Sequence, residues 1–245
     1  MVVVCLNSAS TVAYPLESFL AQDHPDKELV IVDGGSTDGT LATIKNYGLA
    51  ENAIVVSEPD NGIYDAMNKG LKTFTGDAVG FLNSDDRFTD RTSLSTIAAA
   101  LEDADMVHGD LDFVASHKGG RVVRRWRARD FRPGAFRRGW MPAHPTFYVR
   151  RKVVNTVGPF DTSYGLAADY DYMLRAVELN AFRLRRIERV LVNMQHGGAS
   201  TAGLRAYLRS NFESHRSRCA RLGIRPFDIR ALLAKPLRKL PQLLT

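Results

Sequence analysis

Residues 28–40 read ELVIVDGGSTDGT, and this stretch decides the fold. The run Glu28 to Val32 is short and rich in β-branched residues, so it reads as a buried strand. Glycine, serine, threonine and aspartate then crowd into a polar turn, with Asp38 placed to cap a helix running from Asp38 to Tyr47. The same unit repeats on either side. Val2 to Leu6, Ala53 to Ser57 and Asp77 to Leu82 read as strands, and Pro15 to Gln22, Ile63 to Phe74 and Ser93 to Leu101 as helices. Strands joined through helical crossovers pair in parallel and wind right-handedly, which predicts an α/β, Rossmann-like, three-layer fold with a mostly parallel central sheet.

Beyond this repeat the pattern is mixed. Asp105 to Val114 reads as one arm of a hairpin turned at Gly119-Gly120, followed by an arginine-rich stretch through Trp140. Pro145 to Val149 and Arg183 to Val192 read as strands around a helix from Ala168 to Leu179. From Gly203 the chain reads as helical, first Leu204 to Leu222, then Pro226 to Leu244 with breaks at Pro236 and Pro241.

The composition, 44% hydrophobic and 24% charged over 245 residues, is that of a globular protein and excludes disorder across the whole chain. Cys5 and Cys219 lie far apart, so a disulfide framework is not expected. No stretch approaches the roughly 18 apolar residues of a spanning helix, and no basic segment precedes the first apolar run. A cytoplasmic protein is expected. The net charge of +6 conceals a polarity: residues 1–116 carry −13, residues 117–202 carry +11 and residues 203–245 carry +8.

In an open parallel sheet, ligands bind beyond the carboxyl ends of the strands. There the chain offers Asp33 to Thr40, Ser57 to Gly62 and Asn83 to Asp86, three carboxylate-bearing loops on one sheet edge. Adjacent carboxylates at Asp85 and Asp86 repel and call for a divalent cation, and oxygen ligation favours magnesium or manganese. Neither a P-loop nor a dinucleotide fingerprint is present, so phosphates would be bound through that metal.

Five motifs, LNSASTV, ELVIVDGGSTDGT, SEPDNGIYDAMNKGL, GDAVGFLNSDD and AADYDYMLR, make residues 2–200 resemble the inverting family 2 glycosyltransferases with the GT-A fold, in particular bacterial polysaccharide-assembly members. The resemblance implies a GT-A catalytic domain over 1–202, with a nucleotide-sugar-binding half at 1–116 and an acceptor-binding half at 117–202. A basic amphipathic helical extension follows at 203–245. It implies that Asp33 belongs to the nucleotide-binding loop, that Asp60 and Lys69 border the donor, that Asp85 contacts ribose and that Asp86 binds the metal. The family's habits make a UDP-sugar the expected donor. Many members carry a second Asp where this chain has Gly34, which leaves the nucleobase contact and the base preference open.

A base for the acceptor hydroxyl is sought at Asp169 or Asp171. Residues two apart do not share a helix face. Asp171 has Arg175 four residues on, a spacing that favours a surface ion pair, whereas Asp169 matches the last acid of the family's Glu-Asp motif, whose Glu is Ala168 here. Asp169 is therefore taken as the base and Asp171 as structural. His196 is a candidate metal ligand, and His144 a candidate for bordering the acceptor. Arg124, Arg125 and Trp126 offer guanidinium forks and an aromatic face suited to phosphate or sugar, or else belong to a solvated hairpin.

The tail mixes aliphatic and basic residues, the mark of an in-plane helix on an anionic membrane, at the inner face of the plasma membrane, or of a helix packing on the domain or a partner. The acceptor is expected to be a glycan or a lipid-linked sugar. A nucleotidyltransferase is the rival enzyme, but the segment after the first strand, Leu6 to Thr11, lacks the glycine-rich basic loop such enzymes carry. A nucleic-acid-binding protein is the other rival. The acidic first half and the lack of a stacking platform argue against a nucleic-acid partner.

Overall fold

A computed structural model describes residues 1–48, 53–195 and 203–239. Its centre is β1 (Val2–Cys5), buried along its length between β2 (Leu29–Asp33) and β5 (Phe81–Asn83), with β3 (Ala53–Ser57) outside β2. All four strands run parallel. Alternation along β1 and β2 builds two cores. Val2, Val4, Val30 and Val32 face Ala66 and Met67 of α3 (Ile63–Thr73), while Val3, Cys5, Leu29 and Ile31 face α1 (Ala13–Leu20) and α4 (Ser93–Glu102). The expected three layers are present. The second helix, α2 (Thr40–Asn46), starts two residues later than expected, yet Asp38 still accepts the Thr40 N–H at 3.1 Å.

The stretch read as one strand, Asp77 to Leu82, is two. β4 (Ala78–Val79) pairs antiparallel with β9 (Tyr148–Arg150) in a second sheet, while β5 stays with β1. The chain changes sheets at Gly80, where a Cβ would stand 2.4 Å from the Tyr148 ring, so only glycine fits. It returns at once, because Asn83 to Asp86 is a tight turn into β6 (Asp86–Phe88). In this mixed sheet β10 (Leu184–Gln195) lies between β7 (Met106–Val114), parallel, and β6, antiparallel; β8 (Val122–Trp126) also pairs with β7. The hairpin at Gly119-Gly120 is as expected. Pro145 begins no strand: His144–Thr146 form a 3-10 turn, and α5 (Arg151–Val157), unforeseen, follows β9.

Helix α6 (Ala168–Glu178) packs against α7 (Leu204–Leu222), and α8 (Ile229–Lys239) packs on α7 and on the turn Phe136–Arg138. Pro236 lies inside α8 without breaking it, contrary to the expected break, while Pro241 lies outside the described residues. Lys235 on α8 donates to Ser214 Oγ on α7 at 2.6 Å.

His108 on β7 is 1% exposed, edge-on to Trp140, and neither ring nitrogen has a partner. Burial, reinforced by the charge of Arg186, pushes its pKa down to about 4. An unfolded histidine titrates near 6.5, so below that pH the unfolded chain takes up a proton that the fold refuses. Stability should therefore fall by about 3 kcal/mol as pH drops from 6.5 to about 4. Urea unfolding of His108→Leu across that window should show the acid loss shrink by this amount; an unchanged profile would remove His108 as its source.

Candidate active site

The loops beyond β1, β2, β3 and β5 are tied to one another by their own polar groups. Asn7 N–H donates to Ser36 Oγ at 2.7 Å, Thr37 N–H to Asn7 Oδ1 at 3.0 Å, Ser8 N–H to Thr40 Oγ1 at 2.8 Å, and the Ser8 and Ser84 hydroxyls meet at 2.8 Å. Asp33 organises this edge from beneath. Fully buried, its Oδ2 accepts from the Gly35 and Ser36 amides and, at 2.7 Å, from Ser57 Oγ. Burial pushes its carboxyl up, but hydrogen bonds from Ser36, Ser57 and Gly35 together outweigh it and hold the group below the ordinary carboxylate range.

Asp60 sits at the rim. Its Oδ1 accepts the Gly62 N–H at 2.9 Å, and its Oδ2 takes the place a side chain on residue 34 would occupy, 2.4 Å from where a Gly34 Cβ would stand. Lys69, on α3, braces the loop by donating to the Pro59 carbonyl at 2.8 Å and pairing with Glu58 at 3.1 Å.

Asp85 is half-buried in the turn, and His117 Nε2 meets its carbonyl oxygen at 2.7 Å. Burial raises the Asp85 carboxyl. Asp86 is fully buried, because it is already the first residue of β6, paired with Met194 of β10. Its Oδ2 accepts the backbone N–H and Nδ2 of Asn83 at 3.2 and 3.0 Å. Its Oδ1 and Asn83 Oδ1 are buried with no hydrogen-bond partner. Burial first, then the Asp85 charge, push the Asp86 carboxyl well above the ordinary range. Two orphaned oxygens beside two carboxylates fit a hard divalent cation. Among the described residues no three His, Cys, Asp or Glu side chains form a metal cage. His196 lies outside the described residues; the strand leading towards it ends at Gln195.

Asp169, in the first turn of α6, accepts the Tyr64 hydroxyl at 3.0 Å, across 105 residues of sequence. Tyr64 was not foreseen. It is the second residue of α3, directly after the Asp60 loop, and burial, then the Asp169 charge, push its phenol well above the usual range. Helix α6 has no side-chain cap of its own, since its N-cap is Ala167, and the Asp169 amide also faces this hydroxyl. His144 stacks on Phe81 at 5.6 Å and stands edge-on to Phe160; burial lowers its pKa against the opposing charge of Asp169. Phe160 in turn stacks on Tyr64. Contacts therefore run from Asp169 through Tyr64, Phe160 and His144 to Phe81, two residues before Asn83.

Asp171 points away. The expected pair with Arg175 exists at 2.8 Å, but it is not a surface pair: Asp171 is fully buried and also takes Ser217 Oγ at 2.8 Å and Arg221 Nε at 3.0 Å from α7. Strand alternation separates Arg125, which is exposed, from Arg124 and Trp126, which share a face: Arg124 lies 3.6 Å above the Phe113 ring and 6.0 Å from the Trp126 ring, its pKa pushed down to about 10 by burial, and Trp126 packs on the core.

Against known proteins, the family described as Glycosyl transferase family 2 matches residues 1–160. A PGL/p-HBAD biosynthesis glycosyltransferase of Mycobacterium bovis is 33% identical over 207 residues, 82% of this chain and 78% of that protein. Among solved structures, S. aureus TarS 1–349 in complex with UDP-GlcNAc superposes with a TM-score of 0.69 at 19% identity, covering 98% of this chain and 72% of that one. The mannosyltransferase PcManGT of Pyrobaculum calidifontis, in complex with GDP-Man and Mn2+, gives 0.67 at 22% identity, covering 98% and 69%. Both likenesses show the GT-A fold.

Proposed function

The chain belongs to glycosyl transferase family 2, and from that premise we propose that it moves a sugar from a nucleoside diphosphate sugar, with UDP the expected nucleotide, to a hydroxyl of a glycan or lipid-linked acceptor with inversion. The observation that carries this reading is the Tyr64–Asp169 contact, which ties an acid to the helix that begins at the donor loop. A phenol held protonated donates to Asp169 Oδ1 and leaves Oδ2 for the acceptor hydroxyl. As the acceptor oxygen bonds to the anomeric carbon, its proton passes to Asp169 and the bond to the diphosphate breaks on the opposite face. His144, kept neutral by burial, borders the acceptor, and Asp85 the ribose. Magnesium or manganese held at Asp86 would supply Lewis-acid stabilisation of the leaving diphosphate.

Asp169→Asn should lower transfer by roughly 10²–10⁴ with donor affinity little changed, and Tyr64→Phe should lower kcat by a smaller factor. Asp171→Asn should act on stability instead. A transfer rate lost in Asp171→Asn but kept in Asp169→Asn would reverse the assignment of the base.

Asp86→Asn should remove a buried charge yet keep an oxygen for the Asn83 donors. Its melting temperature without metal should rise by about 2–4 °C for each kcal/mol recovered, and the further rise that manganese gives the unsubstituted protein should vanish. A manganese response that survives the substitution would move the metal elsewhere.

No helix among the described residues is long and apolar enough to cross a membrane. We place the protein in the cytoplasm, held peripherally at an anionic membrane by its tail. Phe227 is 95% exposed, Ile229 two residues on is exposed, and so are Leu208 and Phe212 of α7, within a segment whose net charge is +8. Because α8 is docked, deleting it would uncover α7, so the test is the double substitution Phe227→Asp with Ile229→Asp. Pelleting with phosphatidylglycerol vesicles should fall while the melting temperature holds; equal pelleting would leave the tail without this role.

A further inference from the structure

Among the described residues, the largest fully buried side chain is a charged one, Arg218 on α7. Its Nε donates to the Ser214 carbonyl one turn back at 3.4 Å, while Nη1 and Nη2 are buried without a hydrogen-bond partner. A second cation joins it. Lys235 of α8, 5% exposed, donates to Ser214 Oγ and lies 4.6 Å over the Tyr170 ring, and the charge of Arg218 is felt at the same phenol. The acids of the surrounding helices are engaged elsewhere. On α6, Asp169 takes Tyr64, Asp171 takes Arg175 and Arg221, and Glu178 takes the Gly134 and Phe136 amides. Glu213, the one acid of α7, takes Arg209 and the Leu166 amide, and α8 has none. Asp228, ahead of α8, is exposed.

A buried guanidinium beside a buried ammonium is costly unless a counter-charge joins them. Asn211, Ser214, His215 and Arg218 are spaced i, i+3, i+4 and i+7, so they share one face of α7. Two further atoms on that face are buried without partners, Asn211 Oδ1 and His215 Nδ1. Both are acceptors: Asn211 Nδ2 already donates to the Tyr207 carbonyl at 2.8 Å, and His215 Nε2, 2.8 Å from the Pro226 carbonyl, carries the ring proton. What these groups lack is an anion with several oxygens and a hydroxyl. We propose that α7 and α8 close over a hydrogen phosphate ion, at a site separate from the sugar-transfer loops. The fork of Arg218 suits two of its oxygens and the ammonium of Lys235 a third, while its hydroxyl suits His215 Nδ1 or Asn211 Oδ1. Sulfate has no hydroxyl to give at neutral pH. A lipid phosphomonoester offers the same headgroup, but Ser214, Ser217 and Arg218 are fully buried, and a closed site suits an ion without a chain.

Thermal melting of the full chain with a chelator present, so that no metal draws phosphate to the acidic turn, tests this. Inorganic phosphate at a hundred times its dissociation constant should raise the midpoint by roughly 5–10 °C, with sulfate at equal concentration well behind. Amide exchange across α8 should slow in the same titration. Arg218→Met removes the unpaired charge at similar volume, so it should melt at or above the parent without phosphate and lose the phosphate response. Lys235→Met should weaken phosphate about tenfold or more, and it remains the test should Arg218→Met fail to fold. A rise that sulfate matches, or that survives both substitutions, overturns the proposal, as does a parent that phosphate leaves unchanged. A rise given by phosphatidic acid vesicles alone, and lost in Arg218→Met, hands the same seat to a lipid headgroup and overturns the free ion.

Discussion

The antiparallel pairing of Asp86 with Met194 is the contact on which the arrangement of the site depends. It is where the chain, having just left β1's sheet, is stitched into the second one. Gly80 lets the backbone pass under Tyr148, β5 completes the parallel sheet, and three residues later β6 is already bonded to β10. The acidic turn cannot drift as a surface loop would, since both its ends are strand residues. Its two carboxylates are thereby treated differently: Asp85 stays half-open at the tip while Asp86 is drawn inside, where its charge has only Asn83 for company. An uncompensated buried carboxylate is costly, and such costs gather at functional sites rather than in ordinary cores.

The α6 end of the site is held by a different device. Asp171 is enclosed with two arginines and a serine, and a buried ion network contributes more to fixing geometry than to net stability. Two of those partners come from α7, which also offers Glu213 Oε2 to the Leu166 amide at 2.6 Å, just ahead of α6. The extension helix therefore sets the pitch at which α6 presents Asp169.

The sequence made the parallel sheet legible because β1 and β2 are buried on both faces and read as unbroken apolar runs, and because turn-forming residues mark each strand end. It also marked the loops where Asp33, Asp60 and Asp85 come together. The burial of Asp86 was hidden, since Asn, Ser and Asp in succession look like any solvated turn and only the partner strand, more than a hundred residues away, makes one of them interior. The sheet switch was hidden likewise: Asp77 to Leu82 has one apolar pattern, and a clash with Tyr148 has no local signature. Tyr64 stood inside a quoted motif. No local signal singles it out, because its partner Asp169 lies 105 residues away in sequence.

Asp60 and Tyr64 lie four residues apart, one at the lip of a loop and the other in the first turn of the helix it leads into. A helix start is stiff over such a span, so the hydroxyl that Tyr64 offers to Asp169 Oδ1 is held at a fixed offset from the loop that the Asp60 carboxylate closes onto Gly62.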